Sequence, residues 1–110
     1  MKITCELTDR DMNDYIKTLN KHRRLAILRH LAEIPEYTGN ASILQDVLVG
    51  LGLSASRAQI VTELSWLREN GFVEFDPSAE FVVVTATMRG VEIARGLATH
   101  PEIQRPSPKV

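Results

Sequence analysis

Residues 56–75 read SRAQIVTELSWLRENGFVEF. Ser56 and Gln59 stand at capping-box spacing: the hydroxyl accepts from the backbone N–H three residues on, and the Gln side chain reaches back to the N-cap N–H. A helix therefore starts here. At 100° per residue, Ile60, Leu64 and Leu67 share one face, while Ala58, Thr62, Ser65 and Glu69 lie opposite, flanked by Gln59, Val61 and Trp66. Gly71 suits the left-handed residue that closes a helix, so the helix spans 56–70. Two Phe- and Val-rich runs follow, separated by Asp76, Pro77, Ser78 and Ala79, which predicts a hairpin of 72–75 with 81–85.

Upstream, residues 40–52 (NASILQDVLVGLG) put Ile43, Leu44, Val47, Leu48 and Leu51 on one side of a second short helix. Asn40 or Ser42 can cap it, and Gly50 and Gly52 offer a left-handed end. Residues 36–40 read as a turn around Gly39. Before them, TDRDMNDYIKTLNKHRRLAILRHLAEIP has helical apolar spacing from Met12 to Leu31. It predicts a long first helix over about 9–34, capped by Thr8 or Asp9 and stopped by Pro35, with a break into two helices at Asn20 as the alternative. Downstream, Thr87 precedes MRGVEIARGLATH, in which Met88, Val91, Ala94 and Leu97 keep the spacing of a weaker helix. The tail after His100 has Pro101, Pro106 and Pro108, little to bury, and is expected to be extended or disordered. The expected architecture is mostly α with one small β-hairpin, as a single domain over 1–100 with a tail over 101–110.

The chain has 110 residues, 44% hydrophobic and 25% charged, enough for one core and too few for two ordinary domains. The net charge of −1 gives no strong overall field, so attraction to a polyanion must come from local clustering. The single cysteine, Cys5, rules out an intrachain disulfide, and with His22, His30 and His100 dispersed it argues against a bound metal. Neither metal nor cofactor is expected. The first fifteen residues hold four acids and no apolar run, unlike a secretory or membrane-spanning segment, so a cytoplasmic location is expected. No Gly-rich phosphate loop, H-E-x-x-H or G-x-S-x-G occurs, and nothing suggests an enzyme.

Four features bear on binding. Lys17, Lys21, Arg23, Arg24 and Arg29 lie in a stretch without acids, which suits phosphates and equally suits a solvated helix face. On the third helix, Arg57 stands near the N-terminal amides, and Gln59, Thr62 and Ser65 are small or polar enough to approach base edges. The hairpin turn is acidic, with Glu74, Asp76 and Glu80 and no cation between Arg68 and Arg89, which disfavours phosphate. Trp66 is either an exposed anchor for a partner or a lid on the core edge. The Met12, Ile16 and Leu19 stripe has no evident partner in a compact unit, which makes it a candidate for homodimer packing.

ELSWLRENGFVEF and VVTATMRGVEIARG resemble winged helix-turn-helix regulators of the ArsR and MarR kind. The second segment stretches the Leu-Thr-x-x-Gly pattern of those families, so only its general shape carries over. HRRLAILRHLAE, SRAQIVTELSWL and the terminal RPSPK are similar to a family of small winged-helix proteins of Mu-like phages and prophages, over residues 22–109. This resemblance implies a three-helix core, a two-stranded wing and a C-terminal helix. It is specific as to fold and phage origin; the winged-helix analogy, together with the basic run and the outer face of the third helix, leads to the expectation of a phage or prophage regulator that binds double-stranded DNA as a homodimer through Arg23, Arg24, Arg57, Gln59, Thr62 and Ser65. The alternative is a phage-encoded module that contacts a phage or host protein through Trp66, Met12, Ile16 and Leu19.

Overall fold

A computed structural model describes the backbone of residues 9–79 and 82–107, with side chains from Met12 onward. Cys5, the cap candidates Thr8 and Asp9 as side chains, Glu80, Phe81 and residues 108–110 lie outside that description.

The first helix, α1 (Asp9–Glu33), is continuous through Asn20. The Asn20 side chain is engaged on the helix surface, accepting from Arg23 Nη1 at 3.2 Å, and so does not compete for the backbone. Pro35 ends the run. The chain reverses through a tight turn, Pro35–Tyr37, in which Glu36 and Tyr37 take φ of 61° and 55°.

The segment expected to be only a turn then contains a strand, β1 (Thr38–Asn40). A Cβ on Gly39 would lie 2.9 Å from Leu31 Cδ2, so glycine is what lets β1 press onto α1. In α2 (Ala41–Gly50) the cap is Asn40, whose Oδ1 accepts from Ser42 N–H at 2.6 Å and Ile43 N–H at 3.4 Å.

α3 (Arg57–Glu69) carries both halves of the capping box: Ser56 Oγ accepts from Gln59 N–H at 3.1 Å, and Gln59 Oε1 accepts from Ser56 N–H at 2.8 Å. It closes through Gly71 at φ 80°, where Phe72 N–H donates to the Leu67 carbonyl at 2.9 Å. The chain then forms β2 (Val73–Phe75) and β3 (Val83–Ala86), paired antiparallel with Val73 opposite Ala86 and Phe75 opposite Val84. The second strand thus begins later than the expected 81 and reaches Ala86. Alternation explains the register, because Val82, Val84 and Ala86 point inward while Val83 faces out. β3 is central in the order β1-β3-β2, and β1 pairs antiparallel with it through Thr38 and Thr85.

Thr87 caps α4 (Met88–Ala94) through Gly90 N–H at 3.2 Å and ties it to the α3 end by donating to the Gly71 carbonyl at 2.7 Å. The helix stops before Leu97, which is 75% exposed instead of continuing the apolar face. A Cβ on Gly90 would come within 2.2 Å of the Phe72 carbonyl oxygen, so α4 rests directly on the corner between α3 and β2. The core joins Ile27, Leu28, Leu31, Leu44, Leu48, Ile60, Leu64, Leu67, Val84 and Val91, contributed by all four helices and the sheet.

The expectation of a loose tail is corrected over residues 101–107. Ile103 is only 3% exposed, and Gln104 N–H donates to the Lys21 carbonyl at 3.2 Å, holding the segment against α1. The protein is therefore mostly helical, four helices around a small three-stranded antiparallel sheet.

Candidate nucleic-acid interface

Two arginines expected at phosphates turn inward. Arg23 is 6% exposed; its Nε donates to the Leu53 carbonyl at 3.2 Å, Nη1 to Asn20 Oδ1, and Nη2 to the Ser54 carbonyl. It thus satisfies carbonyls of the α2–α3 connection that helix geometry leaves without partners. Arg24 Nε donates to Glu63 Oε1 at 2.6 Å, its Nη1 to the Glu102 carbonyl at 2.9 Å, and its guanidinium lies 4.0 Å from the Trp66 ring centroid. Both guanidiniums are committed within the chain, Arg23 buried and Arg24 nearly so, which leaves them little surface to offer a phosphate. Sequence periodicity gave no warning, because a basic run is compatible with any helix face until a buried carboxylate and open carbonyls come opposite it.

Trp66 is likewise resolved. Beneath Arg24, it meets His100 edge-on at 5.2 Å and Phe72 at 6.4 Å, and is half-buried against the core. It is a lid on the core edge and not an exposed anchor. Glu63, passed over in the sequence, is the buried carboxylate that organises this cluster.

The remaining residues of α3 do stand outward. Arg57, Ala58, Gln59 and Thr62 are exposed and Ser65 is half-buried. Arg57 Nη1 donates to Ser42 Oγ at 3.0 Å, linking the starts of α2 and α3. The Gln59 oxygen is used by the capping box, and Thr62 Oγ1 donates to the Ala58 carbonyl at 2.9 Å, so the amide group of Gln59 and the lone pairs of Thr62 are the groups left to an incoming ligand. Ile16, Leu19, Asn20 and Arg23 face Ala58, Gln59 and Thr62 across an open groove of about 320 Å³. The first half of α1 thus forms one wall beside the outer face of α3.

The strand pair carries Asp76 at its turn and an arginine at each end, Arg68 beside the turn and Arg89 at the base. Ser78 donates both its hydroxyl, at 2.6 Å, and its N–H, at 2.9 Å, to Asp76 Oδ1. These bonds, with a smaller contribution from Arg68, hold the Asp76 carboxyl below the usual aspartate range. Arg68 lies 5.1 Å from the Phe75 ring centroid and Arg89 lies 5.3 Å from that of Phe72. These two exposed cations were missed as site residues because they bracket the hairpin in sequence and come against its two ends, Arg68 beside Phe75 and Arg89 beside Phe72, only after folding.

Among the described residues, no three His, Cys, Asp or Glu side chains converge as a metal site, and no helix is long and apolar enough to cross a membrane.

No protein-family model matches the chain. It is 38% identical over 91 residues to the uncharacterized protein gp26 of Escherichia phage Mu, an alignment covering 83% of this chain and 94% of the relative. The chain belongs to the gp26 family. The shared length is nearly the whole relative, so the gp26-family relationship concerns the complete fold and not one motif. The name of the gp26 relative states no activity.

Proposed function

We propose that this is a winged helix-turn-helix protein of Mu-like phages or prophages that binds duplex DNA as a homodimer, with α3 entering the major groove and the β2–β3 hairpin as its wing. The observation that carries the reading is topological. A strand between α1 and α2 joins the hairpin in the order β1-β3-β2, which backs the α2–α3 pair and leaves the capped start of α3 facing outward. Arg57 is the phosphate contact at that end, and Gln59 and Thr62 reach the bases; Arg68, beside the wing turn, and Arg89, at the wing base, supply further charge in place of Arg23 and Arg24. Regulation of transcription from phage DNA is the role that such a module would serve in the cytoplasm of the host.

Anisotropy of a labelled duplex, titrated with the full chain at low ionic strength, tests this. Binding should weaken steeply with salt, and Arg57→Glu should cost about tenfold and flatten the log–log salt slope by about one phosphate contact. Absence of salt-sensitive binding, or an Arg57→Glu chain that binds as the parent does, refutes the reading.

A second reading, contact with a phage or host protein in place of DNA, is favoured by one specific observation: the wing tip is a fixed negative charge while Arg23 and Arg24 face inward. Under that reading the exposed Met12 and Ile16, beside Leu19, would be the contact surface, and charge reversal at Arg57 would change nothing.

A further inference from the structure

A larger open groove, of about 470 Å³, lies on another side of α1, between that helix and the end of α2. Leu25, Ala26 and Val47 make its apolar lining, Leu51 stands 59% exposed at its wall, and His22, Arg29 and Glu33 add polar and charged edges of both signs. His30 also lines it. Its Nε2 is buried and has no hydrogen-bond partner among the described residues. A buried imidazole nitrogen without a partner is costly, which marks the groove as incomplete in the isolated chain.

The same helix carries a fitting counterpart. Met12, Tyr15, Leu19, His22, Ala26 and Arg29 recur at alternating steps of three and four, the spacing of a helix–helix seam. In the first half of that seam Met12 and Tyr15 are exposed, with Ile16 beside them, and Tyr15 most of all at 60%. In the second half the seam runs into the groove. Bulky, exposed residues at one end and a small residue in a recess at the other are what self-complementary packing of two antiparallel helices requires.

We propose that a second copy of this chain lays its α1 antiparallel along the first, with Tyr15 of each copy seated over Ala26 in the groove of the other. The same register places Leu19 against His22 and Met12 against Arg29, each contact occurring twice about a two-fold axis. Direction favours a bond to His30. Side chains on a helix lean toward its N-terminus, so in an antiparallel pair the phenol leans from Ala26 toward the later residues of the facing helix, where Nε2 of His30 lies. Charge agrees with this direction over most of the seam: the sequence of the first turns carries Asp9, Asp11 and Asp14, and the seam they would lie along carries His22, Arg29 and His30, with Glu33 at its far end as the one opposing charge among the groove's lining residues. This is a geometry for the homodimer of the preceding reading, and it rests on that dimer and not on DNA.

Sedimentation of the full chain across micromolar concentrations gives the first readout. The parent should be a dimer, and Tyr15→Ala should raise its dissociation constant about thirtyfold or more, as loss of a central aromatic anchor does, with unchanged far-UV circular dichroism. The register is read by a cysteine pair, Met12→Cys with Arg29→Cys, in a Cys5→Ser background. The two positions are about 25 Å apart along one helix, so they cannot join within a chain. Mild oxidation should yield a covalent dimer from the double variant and none from either single variant. A monomeric parent, a Tyr15→Ala dimer as tight as the parent, or a double variant that dimerises without cross-linking overturns the proposal. Duplex binding measured on the same samples separates the two readings: a cross-linked dimer that ignores DNA removes only the DNA contact, and a DNA-binding monomer removes the dimer in both readings and leaves the DNA contact standing.

Discussion

In the second half of α1, Leu25, Ile27, Leu28 and Leu31 are buried, whereas in the first half Met12, Tyr15 and Ile16 stay exposed, although both halves repeat apolar residues at helical spacing. The difference comes from what the rest of the chain can bring to each half. α2, α3, α4 and β3 pack on α1, with Gly39 of β1 against Leu31 in its second half, while among the described residues the first half is approached by the outer edge of α3. Amphipathicity thus names a face that must be covered and leaves open what covers it. The cations follow the same division: Arg23 and Arg24 stand where the body surrounds the helix and are absorbed into it, and Lys17, in the first half, remains exposed.

The largest effect that sharpens this contrast should come from Leu31→Ala. Leu31 is fully buried and is the residue onto which Gly39 brings β1. Its loss leaves a cavity under a backbone that has little room to relax, and should cost about 4 kcal/mol in urea unfolding. A loss below about 1 kcal/mol would mean that the second half is not the centre of the core.

Glu63→Ala should rank next, at about 3 kcal/mol, because it leaves the nearly buried Arg24 guanidinium with the Glu102 carbonyl, the Trp66 face and the more distant, exposed Glu102 carboxylate at 4.0 Å. Restoring shape without charge, by Glu63→Ala together with Arg24→Leu, should recover part of that loss in a double-mutant cycle. If the two changes are additive, the pair is not an interaction of the folded state.

Ile103→Ala should follow at about 2 kcal/mol, the low end for a buried isoleucine, since the residue sits in a short segment that can shift. It should also loosen the covering of α1 near Lys21, and so expose amides there to hydrogen exchange. Unchanged stability on removing residues 101–110 would return the tail to a passive role.

Much of the fold was legible in the sequence, and the parts that were not share a physical cause. Ser56 with Gln59, Asn40, Thr87 and Gly71 are local devices, whose partners lie within a few residues; the Ser56–Gln59 box and Gly71 were identified at their places, Asn40 as one of two candidates, and Thr87 only as the residue before a helix. β1 was missed because three residues around a glycine have no local signature; only the distant Thr85 and Val84 make them a strand. The β3 start and the end of α4 shifted for the same reason, being set by the inward alternation of Val84 and Ala86 and by Gly96 at φ 77°. Of the candidate site, Arg57, Gln59 and Thr62 were placed correctly on an outward face because that face follows from the period of one helix. Arg23 and Arg24 were not, and Trp66 was left between two readings, because their partners, Leu53, Glu63 and His100, come from elsewhere in the chain.

The smallest effect is the most diagnostic of the first half of α1. Ile16 is 44% exposed and touches the body only at the groove beside Gln59 and Thr62. Ile16→Ala should therefore change the unfolding free energy of the dilute chain by no more than about 0.5 kcal/mol, as for an open surface position. At higher concentration the parent should gain stability from association while the variant gains less, so the gap between them should widen with concentration. That dependence separates the two possible roles of the exposed stripe. A gap that stays constant, and is already above about 1 kcal/mol in dilute solution, would show Ile16 packing within its own chain, and the contrast between the two halves of α1 would fall. A gap that opens only on concentration assigns the stripe to contact between molecules.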